Sequence, residues 1–147
     1  MKKKSERLAP VLKLETMKEK NAVINYADAR SRLDLEQNKL QQLIDYSQEY
    51  QLMVERKGRE GISATQLHSL HQFLHKLNGA IAQQQEQLLL AQDEAEQKEQ
   101  SWLLQRGATK NMEKLVARHA KSERQDSDKK EQKALDEQSL QTWHGYL

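Results

Sequence analysis

Three histidines come nearest, among the residues of this sequence, to a metal site. His68, His71 and His75 are three and four residues apart, so on a helix they share one face. Imidazole nitrogens placed in this way can bind zinc. However, the heptad pattern of the surrounding leucines turns all three towards solvent, and no carboxylate motif such as HExxH accompanies them. We interpret them as a hydrated polar face and predict no metal and no other cofactor.

Nucleophilic chemistry has even less support. Ser, His and Asp residues occur, but the chain has no Cys and no glycine-rich phosphate loop. Two packed helices also offer no concave pocket that would exclude water or shift a pKa. We therefore predict no catalytic residue and no enzymatic activity.

The composition predicts the elements that must position every other residue. The 147 residues include only 5 Gly and 1 Pro, at position 10, so nothing forbids a helix from residue 11 onward. Rossmann folds, β-sandwiches and barrels need Gly-rich turns and β-branched strands, which are missing. The longest apolar run, residues 88–91, is far shorter than the roughly 20 residues that span a bilayer. We expect an all-α protein with neither a cleaved signal nor a membrane span.

A charged stretch with two glycines, Gly58 and Gly61, divides the helical pattern. Ser63 and Gln66 follow it with the spacing of a capping box, which marks the start of a helix. We predict helix one over about residues 10–56, with Pro10 in its first turn, a turn over 57–63, and helix two over about 64–141. Residues 121–133 contain no apolar side chain, so this part of helix two is expected to fray when alone. The whole chain, residues 1–147, is predicted to be a single coiled-coil domain.

Both predicted helices carry a heptad stripe of apolar residues, which is typical of a coiled coil. Because the turn is short, the helices are expected to run antiparallel, in a long two-helix coiled coil or helical hairpin. Residues that face each other across the turn should have numbers that sum to about 121. This register places Glu36 opposite Gln84, a polar layer that favours one alignment of the helices. The stripe of helix one is Ala22, Tyr26, Ala29, Leu33, Glu36, Leu40, Leu43, Ser47, Tyr50 and Val54, and that of helix two is Leu67, Leu70, Leu74, Leu77, Ile81, Gln84, Leu88, Ala91, Ala95, Lys98, Trp102, Gln105, Thr109, Met112 and Val116.

Several apolar residues fall outside these stripes. Phe73 and Ala80 take positions that flank the stripe residue Leu77, and two leucine pairs, 89–90 and 103–104, point outward. Exposed apolar surface of this kind usually marks a partner site. A wider packing stripe or a dimer would also cover the leucines, whereas for Phe73 we favour a partner.

Order and spacing of four segments resemble those of the FliJ family, small coiled-coil proteins of the bacterial flagellar type III export apparatus. The resemblance extends over nearly the whole chain, and its most specific element is the LIDYxxEY pattern. The segments are Leu43–Tyr50 (LIDYSQEY), Gln72–Leu77 (QFLHKL), Ser101–Trp102 and Lys130–Glu137 (KEQKALDE).

The resemblance implies a cytoplasmic bacterial protein that is peripherally associated with the inner membrane at the flagellar base. Its partners would be the export ATPase FliI, the export-gate membrane protein FlhA and export chaperones, and it would contact the membrane only through the export apparatus. The family fold resembles the stalk (gamma) subunit of rotary ATP synthases, seated in a hexameric ATPase ring. The gate-binding patch of the family maps onto Phe73, Leu77 and Ala80. The sequence departs from the family at the next turn of the patch, where it has Gln84, and it lacks a Trp that some relatives carry at the start of helix two.

Two other functions are compatible with parts of the pattern, and a third is not. The equivalent stalk protein of a virulence-type injectisome would look nearly the same. A generic coiled-coil scaffold explains the stripes but not the outlying Phe73. A nucleic-acid-binding protein would need clustered basic residues, and this chain carries a net charge of only +2 with both signs interspersed. We predict no nucleic-acid partner.

Overall fold

In a computed structural model, residues 2–145 are described and form two long helices. Helix α1 is Lys4–Glu60, and helix α2 is Ala64–His144. The two helices pack against each other, and the described part of the chain contains no strand. The prediction of an all-α helical hairpin is confirmed.

The paired helices divide into two compact units. The turn unit is Ala22–Trp102, and the terminal unit joins the residues up to Asn21 to those from Leu103 onward. Both helices run through the two units without interruption. The single coiled-coil domain expected from the sequence stays a prediction.

Heptad spacing accounts for which residues lose contact with solvent. In α1 the buried and half-buried residues include every member of the predicted stripe, from Ala22 to Val54. The same steps of three and four continue towards the amino terminus through Ser5, Leu8, Leu12, Glu15 and Glu19. In α2 the stripe is also buried or half-buried, except at Leu67 and Lys98, and it continues to His119 and Glu123. The packing stripe is therefore longer than predicted at the amino end of α1 and at the carboxyl end of α2.

Three alanines are among the most buried residues of the turn unit. Ala29, Ala91 and Ala95 are only 6%, 4% and 5% exposed. Alanines between helices let the two backbones approach closely. Two turns further along α2, Trp102 stacks on Tyr26 with ring centroids 5.7 Å apart and planes 11° apart. Large aromatic rings thus cover the end of this alanine layer.

The turn is shorter than the sequence predicts. Only residues 61–63 separate the helices, and Gly58, expected in the turn, lies within α1. Gly61 alone adopts a left-handed conformation, with φ of +90°, and its N–H donates to the carbonyl of Lys57 at 3.1 Å. Ser63 and Gln66 then form the predicted capping box, in which Gln66 N–H donates to Ser63 Oγ at 3.2 Å and Ser63 N–H to Gln66 Oε1 at 3.4 Å.

Helix α1 also begins six residues earlier than predicted, at Lys4 rather than near Pro10. Pro10 is therefore the seventh residue of the helix and not part of its first turn. The reason for the early start is a contact with α2, since Glu123 accepts hydrogen bonds from the N–H and the hydroxyl of Ser5. An acidic side chain at the first turn satisfies a free N–H group and opposes the helix dipole.

Two Glu–Gln pairs form polar layers between the helices. In the turn unit, the Gln84 amide donates to the carboxylate of Glu36 and, at 3.0 Å, to its main-chain carbonyl. In the terminal unit, the Gln105 amide makes the same two bonds to Glu15. The predicted Glu36–Gln84 layer is confirmed, and the Glu15–Gln105 layer repeats it 21 residues away along each helix.

Candidate partner-binding site

An aromatic cluster joins both helices near the turn. The Phe73 ring of α2 lies 4.6 Å from the Tyr50 ring of α1 and 6.2 Å from the Tyr46 ring, centroid to centroid. Tyr46 meets Phe73 edge to face, and the two tyrosine rings are 6.4 Å apart. Phe73 remains 39% exposed and Tyr46 48% exposed. The hairpin thus builds an aromatic surface that is fixed by ring contacts but still open to solvent.

The three residues singled out in the sequence have different surroundings. Phe73 is exposed, as its position beside the stripe predicts, whereas Leu77 is only 7% exposed and belongs to the core of the turn unit. Ala80 is half-buried. A partner that docks on this surface would contact Phe73 first, while Leu77 supports it from the helix interface. The structure brings the Phe73 ring into contact with Tyr46 and Tyr50, two residues of α1 outside the predicted set.

Tyr46 and Tyr50 are the residues of this cluster that the sequence analysis did not assign to the site. The sequence pattern places Tyr50 in the packing stripe and Tyr46 only in the LIDYSQEY segment. The heptad frame does contain a signal for Tyr46, because it immediately precedes the stripe residue Ser47 as Phe73 immediately precedes Leu74. In an antiparallel pair, such positions of the two helices flank the same side of the interface.

The three histidines lie on the outside of the turn unit. His68, His71 and His75 are all exposed, and together with Gln72 and Lys76 they line a shallow depression. Within residues 2–145, no three His, Cys, Asp or Glu side chains are grouped so that they could hold a metal ion. The arrangement is a polar helix face.

Hydrogen bonding perturbs two carboxyl groups of the terminal unit. The bond from the Ser5 hydroxyl lowers the pKa of Glu123, against a smaller opposing effect of desolvation. Likewise, the bond from the Gln105 amide lowers the pKa of Glu15. Both carboxylates form hydrogen bonds between the two helices.

Beyond Glu123, α2 has no packing partner among the described residues. Every residue from 124 to 145 is exposed, although the segment expected to fray, 121–133, is helical. Leu135 and Trp143, 58% and 62% exposed, line one open groove with Gln138, Ser139 and Thr142. This stretch of helix is a second candidate contact surface, which we call the free end of α2.

Neither helix, over the described residues, has a stretch apolar enough to cross a membrane. Residues 3–146 match a family model described as "Flagellar FliJ protein". No curated protein and no solved structure gives a significant match to the chain.

Proposed function

The chain belongs to the FliJ family of flagellar export-apparatus components, and we propose that it acts there as a stalk that couples the export ATPase to the export gate. The family match covers nearly the whole chain and is to a flagellar family, which favours the flagellum over an injectisome. It also supports a role without catalysis. In this proposal the chain works through contacts to FliI, to FlhA and to export chaperones.

The observation that carries the proposal is the open aromatic cluster. Phe73 leaves 39% of its surface exposed, although Tyr46 and Tyr50 already contact it. Exposed aromatic side chains that are held rigidly often provide most of the binding energy of an interface. We assign this cluster to the gate protein FlhA, with Phe73 as the anchor, Ala80 at its margin and Leu77 as its support.

The test is binding of the full chain to purified FlhA. Phe73→Ala should raise the Kd by about tenfold or more, as expected for a central aromatic anchor. Leu52→Ala serves as the matched control, since Leu52 is 66% exposed in the same unit and belongs to no aromatic contact. Equal binding of the wild-type and Phe73→Ala chains would refute the assignment.

The ATPase contact is assigned to the free end of α2. Its exposed Leu135, Leu140 and Trp143 give an apolar surface that no residue of α1 covers. Trp143→Ala should weaken binding to FliI and leave binding to FlhA unchanged. Gln141→Ala is the matched control and should affect neither, since Gln141 is exposed in the same stretch but does not line the groove. If Trp143→Ala weakened binding to FlhA instead, the assignment of the free end of α2 to FliI would be wrong.

A further inference from the structure

Two adjacent leucines are left uncovered on the outer side of α2 in the turn unit. Leu89 and Leu90 are 64% and 63% exposed, because they occupy positions that point away from α1. Their neighbours Leu88 and Ala91 belong to the packing stripe and are half-buried and buried. The two exposed leucines therefore contribute little to holding the hairpin together.

Carboxylates surround this leucine pair. Two of them, Glu86 and Asp93, lie one turn from the leucines, at three or four residues. Glu96 lies two turns away, so all three share the outer face of the helix. All three are exposed, and none forms an ion pair in the part of the chain that the structure describes. Moreover, α2 has no Lys or Arg between Lys76 and Lys98. We call Glu86, Leu89, Leu90, Asp93 and Glu96 the acidic leucine face.

We propose that the acidic leucine face binds a basic amphipathic helix of a partner protein. Asp93 accepts a hydrogen bond of 3.3 Å from the Gln97 amide, which leaves its charge without a cationic partner among the described residues. The leucines supply an apolar centre, and the carboxylates around it, none of which is in an ion pair within residues 2–145, complement Lys or Arg on the flanks of an incoming helix. Such a helix would place apolar residues three and four positions apart against the leucines. This assignment does not depend on the contacts proposed for FlhA and FliI, because it uses none of their residues.

The chain contains its own control for the role of charge. Leu103 and Leu104, 49% and 77% exposed, lie 14 residues further along α2 and therefore at equivalent heptad positions. The residues equivalent to the three carboxylates are Gln100, Gly107 and Lys110. A binding site that required only exposed leucines would treat both pairs alike, whereas a site for a basic helix would discriminate between them.

The test uses a fluorescent synthetic peptide with leucines at helical spacing and lysines on the flanks, together with a copy in which glutamates replace the lysines. Binding to the full chain is measured by fluorescence anisotropy at several salt concentrations. The lysine peptide should bind, more weakly at high salt, and the glutamate peptide should not. Leu89→Gln with Leu90→Gln should weaken binding by about tenfold, and so should Glu86→Gln with Asp93→Asn and Glu96→Gln.

Leu103→Gln with Leu104→Gln and, separately, Phe73→Ala should leave peptide binding unchanged. Circular dichroism should show wild-type helicity in every variant, since all the altered residues, including Phe73, are exposed. The proposal would be overturned if the double variant at Leu89 and Leu90 and the double variant at Leu103 and Leu104 lost peptide affinity equally, or if peptide binding were insensitive to salt. Analytical sedimentation provides a second check. If the chain alone formed dimers that only the double variant at Leu89 and Leu90 dissociated, a second copy of the chain would occupy the acidic leucine face and the proposal would be wrong.

Discussion

Phe73 and Leu77 lie one helical turn apart, and truncating them should lower the free energy of unfolding by different amounts. Leu77→Ala removes a side chain that is only 7% exposed and is expected to lower the free energy of unfolding by about 2–5 kcal/mol. Phe73→Ala removes a half-open ring whose contacts to Tyr46 and Tyr50 contribute about 0.5–1.5 kcal/mol. Urea unfolding followed by circular dichroism measures both. A loss for Phe73→Ala as large as that for Leu77→Ala would make Phe73 a core residue.

The stability of the fold should depend on pH through Glu15 and Glu123. Hydrogen bonds from Gln105 and Ser5 lower the pKa of these carboxyls below the ordinary value of 4.5. A carboxyl with a lowered pKa in the folded state stabilises the fold fully above its ordinary pKa, and this contribution is lost as the pH falls through the lowered value. The Tm should therefore drop as the solution is acidified below about pH 4.5. Glu15→Gln combined with Glu123→Gln should flatten this part of the curve, and an unchanged curve would contradict the role of these bonds.

At the scale of the helix, most of the fold follows from the sequence because heptad spacing depends only on local periodicity. The stripe follows from heptad spacing, the Ser63–Gln66 capping box from a local Ser-x-x-Gln pattern, and the Glu36–Gln84 layer from the register that a short turn sets. The early start of α1 was not, because it depends on Glu123, a residue 118 positions away from Ser5. The sequence predicts too long a turn because Gly58 and Gly61 have the same low helix propensity. Only the backbone shows that, of these two glycines, Gly61 takes a positive φ.

The candidate site shows the same division. Exposure of Phe73 was predictable from its heptad position. Its contacts with Tyr46 and Tyr50 depend on how two helices are aligned, and no local pattern reports the ring geometry. Burial of Leu77 was evident from the stripe, although the family resemblance placed it in the patch.

The alignment of α1 and α2 can be tested directly with a disulfide. Leu40 and Ile81 are both half-buried. Leu40 lies one turn after Glu36 in α1, and Ile81 lies one turn before Gln84 in α2, so both are one turn nearer the hairpin turn than the hydrogen-bonded pair Glu36–Gln84. Cysteines at both positions should cross-link readily under mild oxidation, since facing stripe residues bring their Cβ atoms within range. A cysteine pair at Leu40 and Gln85 is the matched control and should link poorly. Preferential linking of the control pair would show that the register is wrong.

Considered as a whole, the molecule combines paired helices with a stretch of unpaired helix. Residues 124–144 are helical, yet every one of them is exposed, so this stretch lacks the packing that supplies most of the stability of helices in proteins. Their amide hydrogens should exchange much faster than those around Ala91 and Ala95. Hydrogen exchange with mass spectrometry would show this difference, and addition of FliI should slow exchange in 124–144 if the free end is its contact. Equal protection along α2 in the isolated chain would contradict the absence of packing there.

The three-residue turn also decides whether one chain completes its own coiled coil. If residues 61–63 were helical, α1 and α2 would fuse into one continuous helix that could no longer fold back. The same stripe residues would then meet only between two chains, in an antiparallel domain-swapped dimer with the contacts of the hairpin. The left-handed Gly61 is what separates these two assemblies, because a residue with a Cβ is strained at a φ of +90°. Monomer and swapped dimer thus share the coiled-coil contacts, and the choice between them lies in one backbone angle.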